Sequence, residues 1–305
     1  MATFEDWIPE EYDSSVIQRV NQVSVVEDLG RRYAMGTDTR FVPRSGGVEV
    51  GTTQKNAAYD EDDSPNDSVR LTARKVGTSL IRIAEEDLAD SNVAILTQKR
   101  MDWAVSAAKY FDNACLAVTA EENGGTVPFT SVYRALSVSD STVDYTAGDN
   151  LVQSATAGYD EISQVLGLAE DSDYWDESRT IVIAHPSFRE RMRNIKDNDG
   201  HPIFVGGQSD PERGTPDTLF SHPIRWSRGA KTSATAMQNP DGNPLMIVAN
   251  RDFLALGVRS GPEYLVAPPN TGPAFGSDQA LVKMRMRRGF VVSHPKAFAV
   301  LELTA

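Results

Sequence analysis

Cysteine is almost missing from this sequence. Among 305 residues only Cys115 is present. No intrachain disulfide can form, and the chain needs no oxidising compartment. Long apolar runs are missing too: none approaches the roughly 18–20 residues needed to cross a bilayer as a helix. The opening residues, MATFEDWIPEEYDSS, have neither the basic start nor the apolar centre of a signal peptide. Positive charge is in deficit, with 30 Lys and Arg against 43 Asp and Glu and a formal net charge of −13. That balance argues against a protein gripping nucleic acid over a broad surface, which takes clustered cations. It allows one that encloses nucleic acid, because a negative wall does not trap DNA, and it keeps free subunits soluble.

Catalytic signatures are also lacking. No Gly-x-Ser-x-Gly, Gly-x-x-x-x-Gly-Lys-Ser/Thr or Gly-x-Gly-x-x-Gly occurs. The four histidines, His185, His201, His222 and His294, each precede a proline, so each is expected at a turn or strand end. None shows metal-ligand spacing. Asp197 to Gly200 has a faint likeness to a calcium loop, but Gln208 stands where the closing glutamate belongs. Acidic pairs are plentiful, as chance alone provides with 43 carboxylates. A glycosidase needs two at a defined separation, which sequence cannot show. Cys115 reads as a small packed residue in a helix. No catalytic, cofactor-binding or metal site is expected.

What is present is a patterned, mixed chain. Residues 1–44 read as an arm, with a short helix between Ser14 and Arg32 and with Phe4, Trp7 and Ile8 needing a partner to cover them. Val48 and Val50, then Val69, Leu71 and Ala73, alternate with polar residues and predict a hairpin. Its polar tip, 51–68, holds Lys55 and the acidic run Asp60, Glu61, Asp62 and Asp63. Hairpin connections usually take two to five residues, so a tip this long is either disordered or held by another chain. Apolar positions Leu96, Trp103, Ala107, Tyr110, Ala114 and Val118 share one helical face. With a cap at Asp90 or Ser91 and no Gly or Pro before Gly124, the pattern predicts one helix of about 30 residues, roughly 45 Å long. A second helix is expected at Tyr159–Ala169, a buried strand at Ile181–Ile183, and a helix opened by a Ser187/Glu190 capping box. Residues 205–217 read as a surface loop. Strands are expected at Met246–Val248 and Leu254–Val258. In the last segment Val282, Met284 and Met286 alternate with Lys283, Arg285 and Arg287, one face apolar and the other a cationic row. Gly289 is expected to break that strand, with a further strand at Phe298–Leu303. The acidic run on a neighbour's loop and Glu85, Glu86 and Asp87 in the same chain are both candidate partners for the row.

Four segments carry a family resemblance: IRIAEEDLADSNVAILTQKRMDWAVSAAKYFDNACLAV from Ile81, IVIAHPSFRERMRNIKDNDGHPIF from Ile181, LFSHPIRWS from Leu219, and the basic strand from Ala280 that runs into VVSHPKAFAVLEL. In order and spacing they resemble the major capsid proteins of tailed bacteriophages, the Hong Kong 97 type of fold. The likeness runs from about Asp28 to Leu303. It implies an α+β fold with an N-arm (1–44), an extended β-hairpin loop (45–79), a peripheral domain with a long spine helix (80–124 and 256–305) and an axial domain (125–255). It implies a structural protein of the virion, not an enzyme. Such a protein assembles with itself in the host bacterial cytoplasm, as hexamers and pentamers, into an icosahedral head around double-stranded DNA. It has no membrane partner and no sequence-specific contact with the DNA. A separate scaffolding protein is implied, because Met1 lies close to the arm, as is a portal; a decoration protein is left open. Some relatives crosslink a loop lysine to an asparagine of another subunit; Lys55 is the one lysine on this tip. Trp7, Lys55, the run 60–63, Lys283, Arg285 and Arg287 are the candidate contacts between subunits. Two other readings stay open: an encapsulin-type shell with protein cargo, and a soluble acidic hydrolase.

Overall fold

The computed structural model describes residues 23–48, 50–58, 66–91, 94–196, 218–269 and 276–304. A short helix α1 (Val25–Leu29) leads into strands β1 (Arg31–Ala34), β2 (Thr39–Arg44), β3 (Asp67–Gly77) and β4 (Ile81–Ala84). Helices α2 (Glu85–Asp90), α3 (Ile95–Leu116) and α4 (Val132–Leu136) come next, then β5 (Leu151–Ser154), α5 (Tyr159–Glu170), β6 (Thr180–Ala184) and α6 (Ser187–Asn194). The chain closes with β7 (Thr218–Leu219), β8 (His222–Trp226), β9 (Leu245–Asn250), β10 (Leu254–Ala267), β11 (Gln279–Val292) and β12 (Phe298–Leu303).

The strands form two sheets. The first has the order β1-β10-β11-β3-β2, with β4 also paired to β11; the second has the order β5-β12-β9-β6-β8-β7. In the second sheet β6, β9 and β12 are buried along their whole lengths, as expected of strands covered on both faces. Side chains alternate between two cores. Ile181, Ile183, Ile247, Phe298 and Val300 face the first sheet and α3. Val182, Met246, Val248, Ala299 and Leu301 face the other way and join Ile162, Val165 and Phe188 of α5 and α6. Each of the larger side chains stabilises the fold by roughly 1.5–3 kcal/mol relative to exposure. From the first sheet Leu254, Leu256, Met286 and Phe290 complete the central core, where Phe129 meets the rings of Phe111 and Phe290 edge-on.

Several expectations need correction. The predicted 30-residue helix is shorter: the residues before the expected cap form a separate short helix, α2, that ends at Asp90, and α3 spans 22 residues from Ile95 without a side-chain cap. It stops at Leu116 because the next residues join other partners. The Val118 carbonyl accepts from Ser131 Oγ (2.5 Å), and Thr119 N–H donates to the Ser233 carbonyl (2.9 Å). The hairpin pairs 39–44 with 67–72. Val48 and Val50, expected in its first strand, are 78% and 91% exposed. Alternation there had no partner strand to cover it. The Ser187/Glu190 box does not form. Pro186 already has helical dihedrals at the cap, and Ser187 N–H donates to His185 Nδ1 instead (3.2 Å). The helix at Tyr159, the strand around Ile181 and the strands at Met246, Leu254 and Phe298 occur where expected. Of the predicted helix between Ser14 and Arg32, residues 25–29 are helical; its beginning lies outside the described residues. So do the turn at Asp197, His201 and the loop 205–217.

Gly289 does not break its strand; β11 runs through it. Gly289 stands opposite Gly257 on one side and Ala73 on the other. A Cβ at Gly289 would lie 2.9 Å from the Thr72 carbonyl oxygen and 3.2 Å from Leu71 Cδ1. Glycine is there so that Leu71, fully buried, can lie flat across the sheet. Gly289→Val, which local β-propensity favours, is therefore expected to destabilise the subunit by about 1–3 kcal/mol, read as a lower unfolding midpoint in urea.

His294 caps the short 3-10 turn Pro295–Ala297, its Nδ1 accepting from Lys296 N–H (3.3 Å), and its ring stacks on Tyr174 at 3.8 Å. Burial, with the charges of Arg44 and Lys296 adding to it, depresses its pKa to about 4. A base whose folded pKa is lowered contributes stability that is present above its ordinary value near 6.5 and is lost as pH falls towards 4. His294→Asn keeps a capping oxygen and removes the titration. The loss of stability between pH 6.5 and 4 should shrink by roughly 1–3 kcal/mol, measured by urea unfolding across that range.

Candidate assembly surfaces

Three places hold the segments that leave the frame. The first is the hairpin base. Arg44, at the end of β2, has a side chain only 13% exposed. Its guanidinium donates to both oxygens of Asp67 at the start of β3, with Nε to Oδ1 at 2.7 Å. It also reaches Thr142 Oγ1 (2.8 Å), Asp140 (3.3 Å) and the Ser293 carbonyl (3.4 Å). A planar fork of donors suits this two-oxygen grip. Hydrogen bonding to Arg44 holds the Asp67 carboxyl below the usual carboxylate range, and the two carboxylates raise Arg44 in turn. Between these anchors Lys55 and Asn56 lie in an exposed turn closed by Ala57 N–H to the Gln54 carbonyl (3.0 Å).

The second place holds the first described residues. Asp112 of α3 is buried, and it accepts from Ser24 Oγ (2.5 Å), Ser227 Oγ (2.6 Å) and the N–H groups of Val25 (3.2 Å) and Val26 (3.3 Å). It thereby satisfies the free donors at the start of α1. Burial outweighs these four bonds and raises its pKa. Arg288 of β11 grips the other side of α1, donating to Glu27 (2.5 Å) and to the Ser260 carbonyl (2.6 Å).

The third place is the outer face of the first sheet, where the expected cationic row appears: Lys283, Arg285 and Arg287 lie on one side of β11, while Val282, Met284 and Met286 are buried on the other. The partners within the chain are not the expected Glu85, Glu86 and Asp87. Arg285 pairs with Glu263 across the strand (2.7 Å), and Arg287 approaches Asp38 (3.8 Å), which also pairs with Arg259. Cross-strand register sets the Arg285–Glu263 pair, and the turn between β1 and β2 brings Asp38 to Arg287; sequence alone could not give either. Lys283 is exposed beside Leu265. Trp7 and Asp60 to Asp63 lie outside the described residues. The remaining buried carboxylate among the described residues, Glu302, accepts from Tyr133, Gln153 and Asn243 at 2.7–2.9 Å. Neutral donors saturate it, and burial, with the Glu302 carboxylate adding to it, pushes the Tyr133 hydroxyl up to about 12. Among the described residues no group of three His, Cys, Asp or Glu is placed to hold a metal.

Sequence reasoning missed Arg44 and Asp112. Neither sits in a motif; a lone charge on an otherwise apolar helix face was the one available signal for Asp112. Arg44→Ala would leave Asp67 and Asp140 facing each other without a cation. It is expected to cost about 1–3 kcal/mol and to open the hairpin base, seen as faster limited proteolysis between residues 45 and 66 while the second sheet keeps its hydrogen-exchange protection.

Similar solved structures share this two-sheet frame. A chain of Mycobacterium phage Bobi superposes with a TM-score of 0.74 at 14% identity, covering 98% of this chain and 96% of that one. A chain from the capsid of a native GTA particle gives 0.72 at 15%, covering 99% and 97%. A chain of Mycobacterium phage Adephagia gives 0.69 at 17%, covering 99% and 96%. Identities this low show the fold. Comparison with curated proteins finds no match. The model of the Phage capsid family matches residues 5–303, and a match over nearly the whole length shows that the chain belongs to the phage capsid family.

Proposed function

We propose that this chain is the major capsid subunit of a tailed phage, a structural protein whose copies form five- and six-membered rings and close into an icosahedral head around double-stranded DNA. The observation that carries the reading is the family match over 5–303, supported by a fold shared along 98–99% of the chain with phage and capsid structures. On this reading the frame is rigid, and the segments anchored at Asp112 and Arg44 reach outward. Residues 1–44, with Trp7, lie across a neighbour, and 45–79, with Lys55, reach over another. Residues 80–124 and 256–305 form the peripheral part, and 125–255 surround the ring axes. The sheets cross these boundaries in three places, since β1 and β2 of the first segment and β3 of the second join the first sheet and β12 joins the second.

Subunits of this kind hold by repeated interfaces. A specific interface usually buries about 1,200–2,000 Å², and each subunit makes several. The work is mechanical and needs no active site. Scaffolding and portal proteins are the partners such a head requires, and assembly belongs to the host cytoplasm.

Expression alone and with a scaffolding protein, followed by negative-stain electron microscopy and sedimentation, tests the reading. Closed shells or rings of five and six are expected, with DNA in particles taken from virions. A homogeneous monomer that never assembles with its scaffold would overturn it, and protein cargo in place of DNA would point to an encapsulin-type compartment.

A further inference from the structure

A cavity of about 380 Å³ lies between α3, α6 and the residues that follow β8. Three cations line it, each from a different wall: Lys109 of α3, Arg189 of α6 and Arg228 just after β8. Lys109 is only 9% exposed. The Arg189 guanidinium lies 4.4 Å from the centre of the Trp226 ring, and Trp226 lines the cavity as well. Stacking of this kind holds a cation in place through the face of its plane. The N–H donors lie within that plane, and the charge is not neutralised. The one carboxylate on the wall, Asp112, already accepts from Ser24 Oγ, Ser227 Oγ and the N–H groups of Val25 and Val26. His185 adjoins Pro186 of the lining and registers the same surroundings. Burial, with the charges of Lys231 and Arg228 adding to it, depresses its pKa to about 4. A chain with a formal net charge of −13 thus keeps a small hollow of positive charge.

We propose that this cavity binds a phosphate group. The arrangement of donors selects the anion. A carboxylate is planar, and the fork of a single arginine satisfies it. A phosphate has acceptor oxygens on several sides and suits cations that converge from separate elements, here two helices and the end of a strand. Volume is the second argument. Ligand cavities measure about 300–1,000 Å³, and this one, at the small end, has room for a phosphate with a sugar-sized group attached. Trp226 offers that group an apolar flank. Two sources supply such a ligand: the phosphodiester backbone of nucleic acid and a small phosphate monoester. For a wall that encloses nucleic acid, a confined cationic hollow gives attachment at a point without adhesion over the whole surface. The site belongs to the single subunit and does not depend on assembly.

Trp226 makes the cavity observable. The full-length chain is titrated with inorganic phosphate at constant ionic strength, with sodium chloride as the blank, and tryptophan emission is followed. The chain has four tryptophans, so Trp226→Phe is run in parallel. A saturable change that the chloride blank lacks is expected, and Trp226→Phe should abolish it. Arg228→Gln alters an exposed side chain, and an unchanged urea midpoint shows that the fold is kept. It should weaken phosphate binding at least tenfold, and Arg189→Gln should do the same. No change beyond the blank, or equal affinity in Arg228→Gln, would overturn the proposal. Two further probes separate the sources: deoxythymidine 5′-monophosphate, and a short oligodeoxythymidylate without terminal phosphates. Tighter binding of the oligonucleotide, lost in Arg228→Gln, assigns the cavity to a nucleic-acid backbone, and tighter binding of the monoester assigns it to a small phosphate compound. Shell formation is scored separately on the same preparations, so a failure to bind phosphate leaves the capsid reading intact.

Discussion

The buried C-terminal turn of α3 is the constraint on which the other parts depend. A helix end carries four carbonyls without helical partners, and here the turn from Phe111 to Leu116 is enclosed on every side. Two adjacent polar residues make that enclosure possible. Asp112 gathers the first described residues and Ser227. Its neighbour Asn113 donates to the carbonyls of Gly229 (3.1 Å) and Lys231 (2.9 Å) and accepts from Ser233 Oγ (2.9 Å) and Met237 N–H (3.0 Å). Gly229 allows the approach, since a Cβ there would lie 2.6 Å from the Asn113 nitrogen. One step along a helix thus ties the N-terminal segment, the 227–237 segment and both sheets together. Buried polar networks with every member satisfied specify a single arrangement, and this one fixes where the helix ends.

From that junction the molecule divides into a closed frame and open edges. The second sheet is covered on both faces, and its three longest-buried strands have little to offer a partner. The first sheet keeps an exposed cationic row on one face, and among the described residues it ends in edge strands β1 and β2, whose outer backbone groups invite pairing. Phe41 on β2 is 62% exposed, close to the similarly bare Val48 and Val50. Apolar side chains at an unpaired edge are a liability in a monomer and an advantage in a subunit whose neighbours cover them. At the tether points Arg44 holds the base of the hairpin, and Asp112 holds the first described residues.

Much of this was legible in the sequence, in proportion to how local its cause is. The wholly apolar run at Ile181–Ile183 and the alternation from Val282 to Arg287 announced a doubly covered strand and a half-covered one, because burial writes itself directly into residue order. The end of α3 was not legible. No glycine or proline marks it, and the residues that stop it, Ser131 and Ser233, lie far along the chain. The Gly289 error has the same origin: a glycine in a strand reads as a break unless one knows that Leu71 crosses it. The hairpin was recognised, but its first strand was set too late, because Val48 and Val50 alternate as convincingly as a paired strand does. The family resemblance succeeded where these local rules failed because order and spacing of whole segments carry the topology that single residues do not.

The two anchors also respond to acid in opposite ways, for a reason rooted in their surroundings. Asp67 is stabilised as a carboxylate by Arg44, so its folded pKa is lowered. Its contribution is present above the ordinary value near 3.8 and is lost as pH falls through the depressed one. Asp112 has no cation among its bonded partners, and burial raises its pKa. The folded state therefore takes up its proton more readily than the unfolded chain does, and acidification does not remove stability through this group. Acid loosens the hairpin root before the helix junction. The difference lies in whether a buried carboxylate is held by charge or by neutral donors. It places the hairpin base on the anchor more sensitive to its solvent, and keeps the junction that defines the frame on the one less so.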